Sequence, residues 1–173
     1  MSTDWRLLGE LKRDLDLTGR TRLSEAVRAI VYREGKLLMV YSSVNGDYKF
    51  PGGGIEPGES FEQALGREID EECGTSLTSI EYPFGKMITY PSASDVDYDI
   101  FKMISYYYCC SVSDRFGSQK LDAYESELGF KPEWVFVEQA IQANKRVLES
   151  DNPPSWTRRE TIVLELFQSD CVE

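Results

Sequence analysis

The sequence predicts one α+β domain in which helices pack against a β-sheet. Apolar runs rich in β-branched and aromatic residues, separated by turn signals, extend from residue 26 to residue 137, and one short acidic helix interrupts them. Two helical patterns follow the last of these runs. The 173 residues are 41% hydrophobic, which is enough to bury one sizeable core. We therefore expect an N-terminal extension over residues 1–23 and a single domain over residues 24–173.

The first third of the chain contains short strands and tight turns. The loose spacing of apolar residues in 1–23 predicts a small amphipathic helix or a hairpin. Residues 26–32 and 36–41 are predicted as the two strands of a hairpin around Glu34 and Gly35. A second turn at Asn45 and Gly46 leads into a short strand over residues 48–50. A strand thus delivers the chain to a glycine-rich loop.

The rest of the chain is predicted to add longer strands and two closing helices. A strand over residues 79–90 is expected to be interrupted at Pro83 and closed at Pro91. The predicted elements after it are a polar loop at 92–99, a central strand at 101–112, a loop at 113–124, a buried strand at 134–137, and helices at 138–148 and 157–167.

Composition excludes several functional classes. The formal net charge of −11 opposes binding to a nucleic-acid backbone. Without histidine, Ser-His-Asp and Cys-His catalysis and histidine metal ligation are excluded. The four cysteines form no CxxC pair and no apolar leader opens the chain, so we expect a reduced, cytoplasmic protein with no membrane partner. A small-molecule nucleotide-type substrate and a monomer or homodimer are expected.

A helix over residues 61–73 has clear local signals at both ends. Ser60 followed three residues later by Gln63 is a capping-box start, and Gly74 stands where a left-handed helix stop is expected. The glycines at 52–54 precede this helix and let backbone approach a ligand closely. The helix is therefore joined to a loop that is suited to binding.

Carboxylates continue the apolar stripe of this helix. Glu68 and Glu72 lie on the stripe and Glu71 lies one step round, so three like charges repel one another. Mg²⁺ prefers oxygen ligands and bridges carboxylates to phosphates, which would relieve the repulsion. A carbonyl of the glycine loop can complete such a site. On the carboxylates alone, a solvated acidic helix is an equal alternative.

The spacing of the motif decides between these alternatives. Eight residues stand at the spacing of one known motif: Gly53, Glu59, Arg67, Glu68, Ile69, Glu71, Glu72 and Gly74. They match the Nudix box in register, and the chain therefore resembles a Nudix hydrolase. Thr75 departs from the apolar residue that ends the box, which affects local packing and no proposed ligand. The resemblance implies an α+β Nudix fold, a mixed β-sheet sandwiched between α-helices.

The resemblance also implies roles for individual residues. Glu68, Glu71, Glu72 and the carbonyl of Gly52 would bind Mg²⁺ or Mn²⁺, and one of the carboxylates can instead activate water. Arg67 would pair with Glu59 and orient the helix against the loop, with a surface salt bridge as the alternative. Some family members take a catalytic base or a further ligand from a distal loop, where Glu125 and Glu127 are candidates. Simple solvation is the alternative for both.

Substrate contacts are less specific in the sequence. Arg28 and Lys49 can meet phosphate, and Tyr48, Phe84 or Tyr90 can stack on a base, but ordinary strand-surface roles are equally consistent. The predicted function is metal-dependent hydrolysis of a diphosphate linkage in a nucleoside diphosphate joined to another moiety, such as a nucleoside triphosphate or ADP-ribose. The alternative is a catalytically weak Nudix-fold protein that senses nucleotides or regulates, although every motif glutamate is present.

Overall fold

A computed structural model describes residues 4–12, 16–92 and 97–172. The strands in this part of the chain are β1 (Leu7–Leu11), β2 (Thr21–Ile30), β3 (Tyr32–Arg33), β4 (Lys36–Ser42), β5 (Tyr48–Lys49), β6 (Gly52–Gly54), β7 (Leu77–Thr89), β8 (Ile100–Val112) and β9 (Phe130–Phe136). The helices are α1 (Phe61–Cys73), α2 (Ala123–Glu127), α3 (Val137–Leu148) and α4 (Thr157–Cys171). The order of strands and helices is that of an α+β domain.

The larger sheet is mixed and has the strand order β1-β7-β8-β2-β6. Strands β1 and β7 are parallel, as are β8 and β2, whereas β7 with β8 and β2 with β6 are antiparallel. Strand β8 therefore lies in the centre, as its apolar sequence predicted. Strand β6 contains the three glycines and lies at the edge, next to helix α1.

The smaller sheet corrects the predicted hairpin. Strand β4 pairs with β9 along its whole length and with the short strands β3 and β5 on its other side. The turn at Glu34 and Gly35 is present, but it joins only Tyr32 and Arg33 to the start of β4. The apolar run before it, residues 26–30, belongs to β2 and pairs with β8 in the other sheet. The prediction of one long hairpin was wrong because alternation indicates a strand and not its partner.

Three other local predictions also differ from the structure. Around residues 7–11 the chain forms the parallel edge strand β1 rather than a helix or a hairpin. Strand β7 continues through Pro83, and irregular register on either side of it accommodates the proline. The predicted loop at 113–124 ends in helix α2. Residues 1–3 of the extension, residues 13–15, and residues 93–96 of the predicted polar loop lie outside the described residues.

Helices cover both faces of the sheets. Alternate residues of β4 point to opposite sides, so that Leu38 and Val40 join a core with helix α1, while Leu37 and Met39 join a core with α3 and α4. Two hydrophobic cores thus hold a mixed sheet between α1 on one face and the α3–α4 pair on the other, which confirms the expected sandwich. No helix in the described part of the chain is long and apolar enough to cross a membrane.

Helix α1 has the predicted bounds. The Ser60 side chain accepts a hydrogen bond from the backbone N–H of Gln63, whose side chain accepts one from the N–H of Ser60. Gly74 ends the helix with a φ of 68°, which favours glycine. Ala64, Leu65 and Ile69 are buried against the sheet, and Glu68 and Glu72 are buried with them. The helix therefore carries two carboxylates into the interior.

Candidate active site

The glycine loop, residues 52–54, packs very closely against strand β2 and helix α1. Gly52 pairs with Arg28 in β2 and has a φ of 145°, and a Cβ on it would lie 2.0 Å from the carbonyl oxygen of Val27. A Cβ on Gly53 would lie 2.4 Å from the Glu68 carboxylate. No side chain fits at Gly52, where the overlap is with backbone, and a side chain at Gly53 would displace the Glu68 carboxylate. The missing side chains let α1 bring Glu68 against the loop.

Glu72 lies at the centre of a buried network, formed by Glu72, Lys49, Gly52 and Arg28. One carboxylate oxygen pairs with the Lys49 ammonium, and the other accepts a hydrogen bond of 2.8 Å from the Gly52 N–H. The Gly52 carbonyl accepts hydrogen bonds from Arg28 at 2.6 Å and from Lys49 at 3.4 Å. The proposed metal ligands Glu72 and Gly52 and the proposed phosphate contacts Arg28 and Lys49 are therefore neighbours.

Burial dominates the electrostatics of this network. Removal of Glu72 from water raises the pKa of its carboxyl group, and the Lys49 charge and the Gly52 N–H oppose that rise. Burial, followed by the charge of Arg159, lowers the pKa of the Arg28 guanidinium. The Lys49 ammonium and the Gly52 N–H hold the buried carboxylate in place.

Arg67 organises a partly exposed network with Glu59, Glu68 and Glu71. Its Nε and Nη2 donate to the two oxygens of Glu59 at 2.8 and 3.0 Å, and Nη2 also donates to the Gly54 carbonyl at 2.9 Å. Its Nη1 donates to Glu68 at 2.8 Å and to Glu71 at 3.3 Å. The hydrogen bond from Arg67 lowers the pKa of Glu59. Arg67 thus ties the motif helix to the glycine loop, as the predicted orienting role requires.

The donor atoms have the chemistry that a hard divalent cation prefers. Glu68, Glu71, Glu72 and the Gly52 carbonyl supply only oxygen, the ligand atom of Mg²⁺. In the described residues, no three acidic or sulfur side chains are grouped closely enough to hold a metal as they stand. The cationic groups of Lys49 and Arg67 neutralise the carboxylates instead. The residues fit the ion in type, and binding requires these two side chains to give way.

A cavity of about 590 Å³ opens beside this site. Its cationic lining residues outnumber its two carboxylates, Asp122 and Glu125, and they are Lys12, Arg28, Lys49, Arg158 and Arg159. Apolar and aromatic groups form other parts of the wall, among them Met103, Tyr90 and Trp156. A basic cavity in a chain of net charge −11 is suited to an anion with an apolar or aromatic portion.

The structure separates the two distal glutamates. Glu125 lines the cavity and accepts a hydrogen bond from the Asp122 N–H as part of the α2 capping box. Glu127 is exposed on the same helix and does not line the cavity. Of the three aromatic residues that the sequence suggested for base stacking, Tyr90 lines the cavity, whereas Tyr48 and Phe84 do not.

Sequence reasoning missed a second buried pair, Arg159 and Glu160 on α4. Glu160 is fully buried and accepts hydrogen bonds from Arg159 and from the Phe50 N–H, the latter at 3.2 Å. Although burial opposes it, the Glu160 charge raises the pKa of Arg159. The available signal was two adjacent opposite charges in an amphipathic helix, which ordinarily indicates a solvated face.

Thr75 explains the one departure from the box. Its hydroxyl donates to the carbonyl oxygens of Ser113 and Arg115 at 3.0 and 2.9 Å, and the side chain is buried. These two acceptors satisfy a polar atom where the box has an apolar residue. The substitution anchors the loop after β8 and does not touch the acidic site.

Comparison with known proteins assigns the family. The model of the NUDIX domain matches residues 22–156, most of the chain. The chain belongs to the Nudix family. The match contains the glycine loop, helix α1 and the region of Glu125, and it leaves out β1 and α4.

Individual relatives match over shorter stretches. The chain is 42% identical to a CTP pyrophosphohydrolase of Escherichia coli over 65 residues, which are 35% of this chain and 48% of that protein. It is 38% identical to an NAD-capped RNA hydrolase of Pseudomonas putida over 69 residues, 39% of this chain and 25% of that protein. The chain thus spans about half or less of the length of these curated relatives.

A solved structure supports the Nudix fold over a longer range. The solution structure of the E. coli ORF135 protein superposes with a TM-score of 0.57 and 21% sequence identity, covering 87% of this chain and 93% of the other. At this level of identity the likeness concerns the fold alone.

Proposed function

We propose that this Nudix protein is a metal-dependent pyrophosphohydrolase that cleaves a diphosphate linkage in a nucleoside diphosphate joined to another moiety. The observation that carries the proposal is the junction of two features at Gly52. The carboxylate Glu72 binds its N–H on one side, and the cavity residues Arg28 and Lys49 bind its carbonyl on the other. Acidic candidate metal ligands and a cationic cavity thus meet at one residue, Gly52.

Glu68, Glu71, Glu72 and the Gly52 carbonyl would hold Mg²⁺ or Mn²⁺. When bound, the ion would neutralise charge that develops on the phosphoryl oxygens. Arg28 and Lys49 would contact phosphate oxygens from the cavity side, since both line it. Arg67, fixed by Glu59, keeps the ligand-bearing face of α1 against the glycine loop.

The attacking water needs a base. Glu125 lines the cavity and is partly exposed, so its carboxylate can take the proton from water that approaches a bound diphosphate. Glu127, the other distal candidate from the sequence, serves as the matched comparison on the same short helix. Glu68 and Glu72 remain the alternative bases in the motif itself.

The substrate class follows from the chemistry of the cavity. CTP and NAD, which appear in the names of two relatives, both carry a nucleoside attached to a diphosphate. The cationic lining suits such phosphates, and the aromatic wall suits a base or sugar. The net charge of −11 favours a small nucleotide over a long nucleic acid.

A release assay tests the proposal. Phosphate or pyrophosphate release is measured with nucleoside triphosphates, ADP-ribose, nucleotide sugars and dinucleoside polyphosphates, each with Mg²⁺, with Mn²⁺ and with excess chelator. We expect turnover of at least one substrate and its loss in chelator. Undiminished turnover in chelator would contradict the metal assignment, and no turnover of any substrate would contradict the enzymatic one.

A nucleotide-sensing protein without turnover is the second candidate. The buried Lys49–Glu72 pair favours it, because the ammonium neutralises a carboxylate that a metal would need. Nucleotide binding in the absence of any release, with or without metal, would support this candidate. Metal-dependent release would exclude it.

A further inference from the structure

Segments outside residues 22–156, the region that matches the NUDIX domain, line part of the cavity. The match ends at residue 156, yet Leu11 and Lys12 from the end of β1 and Arg158 and Arg159 from the start of α4 all line the cavity. Three of these four residues are cationic. The charge of the cavity therefore depends on parts of this chain that lie outside the matched region.

Arg159 is held rigidly at the cavity wall. Its Nε and Nη2 donate to one Glu160 oxygen at 3.0 and 2.5 Å. The other Glu160 oxygen accepts from the Phe50 N–H, so the carboxylate is itself fixed to the strand that leads to the glycine loop. The Nη1 of Arg159 lies 4.0 Å from the sulfur of Met103, which is a weak acceptor. Hydrogen-bonding capacity thus remains on a side chain that is 6% exposed.

Arg28 has unused capacity in the same place. It lines the cavity with 8% of its surface exposed, and its Nη1 donates to the Gly52 carbonyl. Its Nε is buried and has no hydrogen-bond partner among the described residues. A buried guanidinium donor without an acceptor is unfavourable, and a second guanidinium nearby adds like-charge repulsion. An acceptor that carries negative charge would relieve both.

We propose that Arg28 and Arg159 together form a phosphate-binding site at the cavity wall, and that Glu160 holds Arg159 in position for it. The proposal rests on the proposed function in that the phosphate belongs to a nucleotide. Phosphate oxygens accept hydrogen bonds only, and guanidinium groups present planar pairs of donors that match them. A base or sugar would offer fewer acceptors and no charge, and the apolar part of the wall suits it better.

Binding of products tests this site without catalysis. Isothermal titration in chelator compares CMP with cytidine, and AMP with adenosine, on the wild-type chain, on Arg159→Gln and on Arg146→Gln. Arg146 is exposed on α3 and does not line the cavity, which makes it the matched control. We expect the wild type and the control to prefer each monophosphate over its nucleoside by about 10-fold or more. Arg159→Gln should lose most of this preference while binding the nucleosides as before.

Several outcomes would overturn the proposal. They are the absence of a monophosphate preference in the wild type, its full retention in Arg159→Gln, or an equal loss of nucleoside and monophosphate affinity in a folded variant. If Arg159→Gln does not fold, Arg159→Lys takes its place, because it keeps the charge but not the planar fork. Its preference should fall severalfold, and an unchanged preference counts against the site.

The experiments can contradict the hydrolase proposal and the phosphate-site proposal independently of each other. If only Arg159→Gln loses the monophosphate preference and the protein turns over no substrate, the phosphate-binding site is supported and the proposed hydrolase function is contradicted. Metal-dependent turnover without any effect of Arg159→Gln on phosphate binding would do the reverse.

Discussion

Helix α1 bears two ion-pair networks that differ mainly in their access to water. In the buried network the side chains of Lys49 and Glu72 are 9% and 1% exposed. In the partly exposed network the Arg67 side chain is 24% exposed, and it donates hydrogen bonds to three carboxylates. Burial raises the pKa of Glu72, whereas the Arg67 hydrogen bond lowers that of Glu59. Glu72, on α1, thus depends on a partner for its charge, whereas Glu59, in the loop just before α1, is ionised readily.

The two networks differ in how readily Lys49 and Arg67 can release their carboxylate partners. An uncompensated charge in the interior is strongly destabilising, so Lys49 can leave Glu72 only when another cation replaces it or when the carboxylate takes up a proton. Arg67 can release Glu68 or Glu71 and still keep Glu59. We infer that ion binding changes the partner of Glu72 and only rearranges the network of Arg67.

Lys49→Met is expected to have the largest effect on stability. It leaves Glu72 buried without its cation, which lowers the free energy of unfolding by about 3–5 kcal/mol. Chemical denaturation measures the change, and the double variant Lys49→Met/Glu72→Gln should recover much of it. Lys145→Met is the control, because Lys145 pairs with Glu165 at the surface and its loss should change stability little. Equal stability of Lys49→Met and Lys145→Met would contradict the stated difference between buried and surface ion pairs.

The effect of Lys49→Met should depend on pH with a definite sign. Without Lys49, the folded-state pKa of Glu72 rises further above its unfolded value of about 4.3. Stability of the variant is then highest below that unfolded value and falls as the pH rises towards the folded-state pKa. Unfolding measured at several pH values checks this trend, and a rise in stability over that window would refute it.

Glu72→Gln is expected to affect activity most. The change keeps the shape of the side chain and removes the charge that would bind the ion, so kcat should fall by about 100- to 1000-fold. Glu62→Gln, on the exposed first turn of α1, is the control and should keep parental kcat. Circular dichroism confirms that both variants are folded. Near-parental turnover of Glu72→Gln at saturating Mg²⁺ would show that Glu72 is neither a ligand nor the base.

Glu125→Gln should lower kcat by about 100-fold with little change in the dependence on Mg²⁺ concentration. A base acts on water in the transition state, whereas a metal ligand acts in the ground state as well. Glu127→Gln should have almost no effect, because Glu127 does not line the cavity. Full kcat in both single variants and in the double variant would place the base on α1, at Glu68 or Glu72.

Glu59→Gln is expected to have the smallest effect. Loss of the hydrogen bonds to Arg67 should reduce stability at pH 7 by at most about 1 kcal/mol. Because Arg67 lowers the folded-state pKa of Glu59, this stabilisation is present above the unfolded pKa of about 4.3 and is lost as the pH falls below it. The difference between wild type and variant, followed by thermal unfolding from pH 7 to pH 3, should therefore shrink. A difference that grows towards low pH would contradict the assignment.

The exclusion of histidine chemistry and the acidic helix were predictable, because the first depends on residue type and the second has local signals. The capping residues Ser60 and Gln63 and the stop at Gly74 lie at the ends of the helix they define, and its bounds were predicted correctly. The pairing of Arg67 with Glu59 was also foreseeable, since the two lie only eight residues apart. The apolar character of β8 likewise indicated its central place in the sheet.

Strand partners and the second buried pair were not predictable in this way. Alternation shows that residues 26–30 form a strand, but the same pattern fits pairing with β4 or with β8, and only packing of the whole sheet selects β8. The parallel edge strand β1 depends on β7, which lies more than 70 residues further along the chain. The spacing of residues within one segment does not indicate a partner that lies so far away in the sequence.

The sequence by itself determined the family motif, the acidic face of α1 and the exclusion of histidine chemistry, because these depend on residue type and short spacing. Only the tertiary structure decided that Lys49 neutralises Glu72 and that α4 brings Arg159 into the cavity. The Phe50 N–H reaches Glu160 across 110 residues of sequence. Residues distant in the sequence become neighbours only in the folded protein, and their pKa values and roles depend on the burial and the partners that they acquire there.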